Sequence, residues 1–183
     1  MSIDAQAARI KLALFDVDGV LTDGRVVVHS DGTESKSFFI RDGIAMVWAQ
    51  RSGIRIGLLS ARNSPTTIHR AAQLGITLVY QGVSSKLASY ERIMAEQNLT
   101  DNELAYMGDD IVDLAVLRRA GLSGAPADAV LDVRAAVDWV SSRTGGTGAA
   151  REFLELILRA QNRWEPIVAR YLKEAGAPAG AGD

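Results

Sequence analysis

Short apolar runs punctuate the chain at Lys11–Phe15, Arg55–Leu59, Thr77–Val79, Leu104–Met107 and Leu122–Ser123, and longer stretches with helical spacing separate them. Apolar runs without polar alternation suit strands covered on both faces, as in parallel sheets. Gly53, Gly75 and Gly121 stand where the intervening helices should stop, because glycine adopts the left-handed backbone that ends a helix. The alternation predicts an α/β fold, a Rossmann-like doubly wound parallel sheet with right-handed crossovers and helices on both faces. Ligands of such sheets bind beyond the carboxyl ends of the strands.

Two segments depart from this rhythm. Val26–His29 and Glu34–Phe39 flank Ser30-Asp31-Gly32-Thr33, a hairpin signal over about residues 24–40, directly after the first strand. Two strands alone are marginal in water, so the pattern predicts that the hairpin packs against another subunit; a solvated flap is the alternative. Gly43 runs straight into a helix, and no large block interrupts Tyr80–Met107, which leaves no room for a cap domain. Toward the end, Gly148–Glu174 reads as one long helix that buries Phe153, Leu154, Ile157, Leu158 and Trp164, its first half expected to kink or end at Pro166. Residues 1–175 form a single domain on this reading, and 176–183, rich in Gly, Ala and Pro, a flexible tail.

Composition adds exclusions. The 183 residues suffice for one core of ordinary size, and a formal charge of −2 argues against a nucleic-acid footprint. There is no cysteine, so neither disulfide nor thiol chemistry is available. No apolar run has membrane-spanning length, and Met1–Arg9 is a polar-alanine lead-in rather than a leader; no membrane contact is expected, and the cytoplasm is the expected compartment. His29 and His69 lack partners at metal-ligand spacing, and Trp48, Trp139 and Trp164 read as space-filling aromatics.

The candidate chemistry sits at strand ends. In Leu14-Phe15-Asp16-Val17-Asp18-Gly19-Val20-Leu21-Thr22-Asp23-Gly24 an apolar strand ends on two carboxylates, and burying Asp16 there costs desolvation unless a cation or donors compensate. An acidic turn is the competing explanation. Gly108-Asp109-Asp110-Ile111-Val112-Asp113 follows a second apolar strand. An oxygen-loving divalent cation wants carboxylates converging from different strands, although helix capping would account for Asp109 or Asp110 alone. Ser60, at the end of a third strand, offers a hydroxyl. Lys86 falls in what reads as the first turn of a helix, where the macrodipole disfavours a cation, so either an anion lies nearby or the lysine is simply solvated.

These four signals, in this order, resemble the haloacid dehalogenase superfamily of phosphohydrolases, whose motifs are D-x-D-G, a Ser or Thr at a strand end, a Lys, and G-D-D-x-x-D. Phe39-Ile40-Arg41-Asp42-Gly43, Leu74-Gly75-Ile76, Tyr80-Gln81-Gly82 and Gly145-Gly146-Thr147-Gly148-Ala149-Ala150-Arg151-Glu152 narrow the likeness, over about residues 10–160, to its capless 3-deoxy-D-manno-octulosonate 8-phosphate phosphatase family. Ser60-Ala61-Arg62 stands where that pattern has Thr-Gly-Arg, and Ile44-Ala45 replaces a more polar or aromatic pair.

The resemblance implies Mg²⁺-dependent hydrolysis of a small sugar-acid phosphate of lipopolysaccharide precursor synthesis, through an aspartyl-phosphate. Asp16 would be the nucleophile and Asp18 the acid and then base. Lys86 and Ser60 would hold the phosphate oxygens. The carboxylates of Asp16 and Asp109 and the backbone carbonyl of Asp18 would hold Mg²⁺, with Asp110 and Asp113 in support. Arg41, Arg62 and Arg151 are candidates for the sugar carboxylate, with Thr22 and Asp23 beside them as substrate contacts. The resemblance further implies a homotetramer whose neighbours close each pocket. A related nonulosonate 9-phosphate phosphatase would share every motif. A non-catalytic assembly module of the same fold would have no need of buried like charges.

Overall fold

The computed structural model describes residues 1–176. In chain order the elements are α1 (Ile3–Ala7), β1 (Leu12–Phe15), β2 (Val27–Val28), β3 (Glu34–Ser35), α2 (Ile40–Arg51), β4 (Arg55–Leu59), α3 (Pro65–Gln73), β5 (Leu78–Tyr80) and α4 (Lys86–Gln97). There follow β6 (Leu104–Met107), α5 (Leu114–Leu117), β7 (Leu122–Ala125), α6 (Leu131–Arg134), β8 (Trp139–Val140), α7 (Ala149–Ala160) and α8 (Trp164–Gly176). Six strands form one sheet in the order β5-β4-β1-β6-β7-β8, and every pair in it is parallel. The chain thus winds outward from β1 both ways, as the alternation of elements predicts.

The central strand shows why. Leu12-Ala13-Leu14-Phe15 is wholly buried, and its alternate side chains face opposite layers. Ala13 and Phe15 join Met46 of α2 and Phe153, Leu154 and Ile157 of α7 in one core, whereas Leu12 and Leu14 join Tyr90 and Ile93 of α4 and Val116 of α5 in the other. Phe153 meets the ring of Phe15 edge-on at 6.3 Å and stacks on Trp139 at 5.4 Å.

Several boundaries differ from the sequence reading. The lead-in before Ile10 is helical from Ile3 to Ala7, with Ser2 Oγ accepting from the Ala5 N–H. The third strand is Leu78–Tyr80 rather than Thr77–Val79, and β7 continues to Ala125. The edge strand β8 has only two residues, too short to leave a pattern; Asp138 anchors it by accepting from the Ser123 N–H and hydroxyl at 2.8 and 2.7 Å. The C-terminal segment is two helices, not one. The chain turns at Gln161–Arg163, where Asn162 adopts φ 56°, and Pro166 sits in the first turn of α8, where its missing N–H breaks no helical bond. The tail expected from residue 176 lies, beyond Gly176, outside the described residues.

The hairpin forms, with Val27 opposite Ser35 and Val28 opposite Glu34, but Phe39 already caps α2. It stands apart from the main sheet.

Because Phe153 locks α7 to the sheet with no exposed surface, Phe153→Ala should lower unfolding stability by about 3–5 kcal/mol, read from urea denaturation. A loss under about 1 kcal/mol would mean that the site collapses around the smaller side chain.

Candidate active site

All the strand-end motifs fall at one end of the sheet, because β1 lies between β4 and β6. Asp16 follows β1 directly and is buried, its N–H donating to the Met107 carbonyl at 3.0 Å. Its carboxylate meets Lys86 Nζ at 3.0 Å. Lys86 opens α4 behind its cap Ser85 and is buried too, so the solvated-lysine alternative is excluded. Burial works against the ammonium, but the charges of Asp16 and Asp113 outweigh it and hold its pKa above the usual range.

Asp113 anchors the second motif. Fully buried, it accepts from Lys86 Nζ at 2.6 Å, from the Tyr106 hydroxyl at 2.5 Å and from the N–H groups of Asp109 and Asp110 at 3.1 and 3.3 Å. Gly108 precedes the acidic residues because a Cβ there would lie 2.5 Å from Asp113 Cγ. Burial, with the Asp113 and Asp16 charges, pushes the Tyr106 phenol far above its usual pKa, so it stays a donor. Tyr106 was missed, although a hydroxyl in a wholly buried strand signals that a polar partner must be near.

Carboxylate oxygens of Asp16, Asp109 and Asp113 lie within 4.8 Å of one another. Burial and then the charges of Asp16 and Asp113 push Asp109 up to about 7. Burial raises Asp16 to about 6, with Lys86 opposing and Asp113 assisting. Three converging carboxylates from two strand ends, short of positive charge, fit a hard divalent cation held by oxygen ligands. Gly19, at φ 91°, makes room: a Cβ there would fall 2.0 Å from an Asp109 carboxylate oxygen. Asp110 does not join them. It is exposed and accepts from the Ile111 N–H at 2.7 Å, so for this residue the capping explanation holds.

Asp18 lies outside that cluster, with a different cation. Lys36, just past β3, places Nζ 2.7 and 2.9 Å from the two Asp18 oxygens, and the lysine side chain is only 1% exposed. Arg62 Nε stands 3.8 Å from Asp18, and its Nη2 donates to both oxygens of Glu34 at 2.9 and 3.1 Å. Lys36 was also missed, because nothing in a surface-hairpin pattern distinguishes a lysine that points inward.

The remaining candidates are placed as follows. Ser60 is buried at the end of β4, its Oγ accepting from the Arg62 N–H at 3.2 Å. The Thr22 hydroxyl accepts from the N–H groups of Gly19 and Gly24, and the exposed Asp23 accepts from the Arg25 N–H, so both brace the loop that follows Asp18. Arg41 and Arg151 line a cavity of about 290 Å³ with Phe39, Arg143, Thr147 and Glu152. Arg151 is nonetheless held by Glu155 at 2.6 Å and lies 5.0 Å over the Trp48 ring. Asp42 accepts from the Arg151 N–H at 2.8 Å; burial, against donors from Arg151 and Gly148, raises it to about 6. Gly145 and Gly146 press on the Gly19–Asp23 loop so closely that a Cβ on Gly145 would lie 1.9 Å from the Gly19 carbonyl oxygen.

No family model matches the chain. A 3-deoxy-D-manno-octulosonate 8-phosphate phosphatase of Haemophilus influenzae is 42% identical over 154 residues, 84% of this chain and 86% of that one. The chain belongs to the 3-deoxy-D-manno-octulosonate 8-phosphate phosphatase family. A phosphatase of this name from Moraxella catarrhalis, crystallised with magnesium, phosphate and KDO, superposes with a TM-score of 0.91 at 37% identity over 92% of this chain and 97% of that one. A hydrolase of the HAD superfamily from Legionella pneumophila gives a TM-score of 0.89 at 39% identity over 93% and 94%. The fold is that of the haloacid dehalogenase superfamily, without a cap.

The raised carboxylates make a pH prediction. Asp109 binds its proton more tightly folded than unfolded, so its contribution to stability is greatest below 3.8 and is lost as pH rises through about 7. In chelator at about pH 8, Asp109→Asn should therefore melt higher than wild type, and it should lose the rise in melting temperature that Mg²⁺ gives the wild type. A variant that melts lower in chelator would contradict the repulsion.

Proposed function

We propose that this chain hydrolyses 3-deoxy-D-manno-octulosonate 8-phosphate to the free sugar acid and inorganic phosphate, in an Mg²⁺-dependent reaction. The observation that carries it is the convergence of Asp16, Asp109 and Asp113, beyond the carboxyl ends of the adjacent strands β1 and β6, with Lys86 at the start of α4; the family to which the chain belongs supplies the substrate class. Mg²⁺ would be held by the carboxylates of Asp16 and Asp109 and the backbone carbonyl of Asp18, with Asp113 behind them. When bound, it supplies positive charge that offsets the repulsion between phosphate and carboxylates.

The chain's own residues divide the chemistry. An Asp16 carboxylate oxygen attacks phosphorus and the phosphorus–oxygen bond to the sugar breaks, leaving an aspartyl-phosphate. Asp18 gives its proton to the departing alkoxide. It then takes one from the water that attacks phosphorus, which frees Asp16 and phosphate. Lys86 has three donors and commits two, to Asp16 and Asp113, so one remains for a phosphate oxygen beside the Ser60 hydroxyl. Arg62, whose Nε lies 3.8 Å from Asp18, offers a planar fork for the sugar carboxylate, with Arg41 as a second candidate.

The active form is a homotetramer that shares its sites. What supports this is the hairpin: Val27 and Val28 are 57% and 67% exposed on a two-stranded ribbon that is marginal alone. No helix among the described residues is long and apolar enough to cross a membrane. We place the reaction in the cytoplasm, where a charged sugar phosphate is retained.

Phosphate release from this substrate, with and without Mg²⁺, tests the reading. Asp16→Asn should abolish turnover with an unchanged circular dichroism spectrum, since the amide is nearly isosteric but a poor nucleophile; activity within about tenfold of wild type would remove Asp16 from that role. Val27→Asp with Val28→Asp should break up the assembly and lower turnover together, as light scattering and a phosphate assay on one sample will show. A fully active monomer would refute the shared site.

A further inference from the structure

Asp16 and Asp18 are two residues apart, yet among the described residues only Asp16 joins the carboxylate cluster. Beside a site short of positive charge, a mobile Asp18 carboxylate would be drawn to any cation bound there. What holds it elsewhere is Lys36, whose ammonium lies within 2.9 Å of both Asp18 oxygens. Lys36 is built for this. Its side chain is 1% exposed, and a buried ammonium is tolerated only when paired. It follows β3 at the position where alternation puts it on the same face as Glu34, which holds Arg62. Ser35, between them, is on the outer face, within 2.8 Å of His29 Nε2. One face of the hairpin is therefore fastened by two ion pairs to the loops after β1 and β4.

We propose that Lys36 is the positioning residue of the acid–base group: it keeps the Asp18 carboxylate out of the cation cluster and turned to the side where the sugar alcohol leaves, so that leaving-group protonation requires a seated hairpin. The proposal rests on the role given to Asp18 above. It adds a residue, and makes the hairpin part of the catalytic apparatus of its own chain as well as the expected contact with a neighbour.

The experiment compares two substrates in saturating Mg²⁺: an alkyl phosphate, the sugar-acid phosphate or glycerol phosphate, and 4-nitrophenyl phosphate, whose leaving group needs little protonation. Lys36→Met keeps the length and apolar stem but removes the charge. Its kcat on the alkyl phosphate should fall at least ~10-fold, that on the aryl phosphate by less than ~3-fold, with KM within ~3-fold for both, because general acid catalysis is worth that much only for a poor leaving group. Lys36→Arg should restore most of the alkyl activity. Equal losses on both substrates, a loss confined to KM, or an alkyl kcat within ~3-fold of wild type would each overturn the proposal. Asp18→Asn on the same pair separates this from the reading beneath it. If Asp18→Asn loses equally on both substrates, the acid role itself fails and the proposal with it; if Asp18→Asn discriminates and Lys36→Met does not, Lys36 alone is displaced.

Discussion

Asp16, Asp113 and Tyr106 can all be buried at the carboxyl end of a parallel sheet because one ammonium, that of Lys86, is buried with them. A carboxylate taken out of water loses several kcal/mol of solvation unless partners replace it. Asp113 is fully repaid, with a cation, a phenol and two backbone N–H groups on its two oxygens. Asp16 has the same cation and little else, which is why its pKa stands raised at about 6. Among the described residues no cation lies within ion-pair distance of Asp109, which stands at about 7. The gradient from satisfied to unsatisfied carboxylate runs from the interior toward solvent, and it marks where a divalent cation and a phosphate would be taken up.

That arrangement depends on backbone coming closer than side chains allow. Gly108 lets Asp113 fold back on its own motif, Gly19 makes space for Asp109, and Gly145 lets the loop before α7 lie on the Gly19 carbonyl. Each closes a contact that a single Cβ would obstruct. The winding order supplies the rest: β1 between β4 and β6 makes neighbours of residues that are far apart in sequence.

Strand and helix alternation was readable because buried parallel strands are apolar without interruption, as in Leu12–Phe15 and Leu104–Met107. Elements of two residues, such as β8, carry no period to read. The break between α7 and α8 was misplaced because Pro166 is the stronger local signal, while the turn is made by Asn162 in a left-handed conformation that sequence barely marks. The carboxylates and Lys86 were legible since a charge at the end of an apolar strand, or at a helix start, contradicts its local setting. Asp110 carries the same signal in the sequence, yet its side chain caps the turn that follows and stays outside the carboxylate cluster. Lys36 and Glu34 left no trace, because their charges look at home in a polar hairpin and only the tertiary fold brings them against Asp18 and Arg62.

The two aspartates of the first motif show how environment divides identical side chains. Asp16 continues β1, so the sheet fixes it against Lys86 in a buried setting with other carboxylates. Asp18 lies where the chain has left the sheet, its side chain 18% exposed, and its neighbour is a lysine carried by a ribbon that is not part of the main sheet. In the role proposed for it, Asp16 gains from the rigid placement, since attack on phosphorus demands a fixed line of approach. The acid–base role proposed for Asp18 requires two proton exchanges in a turnover, and water access at its outer edge serves them. A chain without a cap domain thus meets both requirements with one strand end and one hairpin, the strand giving rigidity and the hairpin giving partial cover.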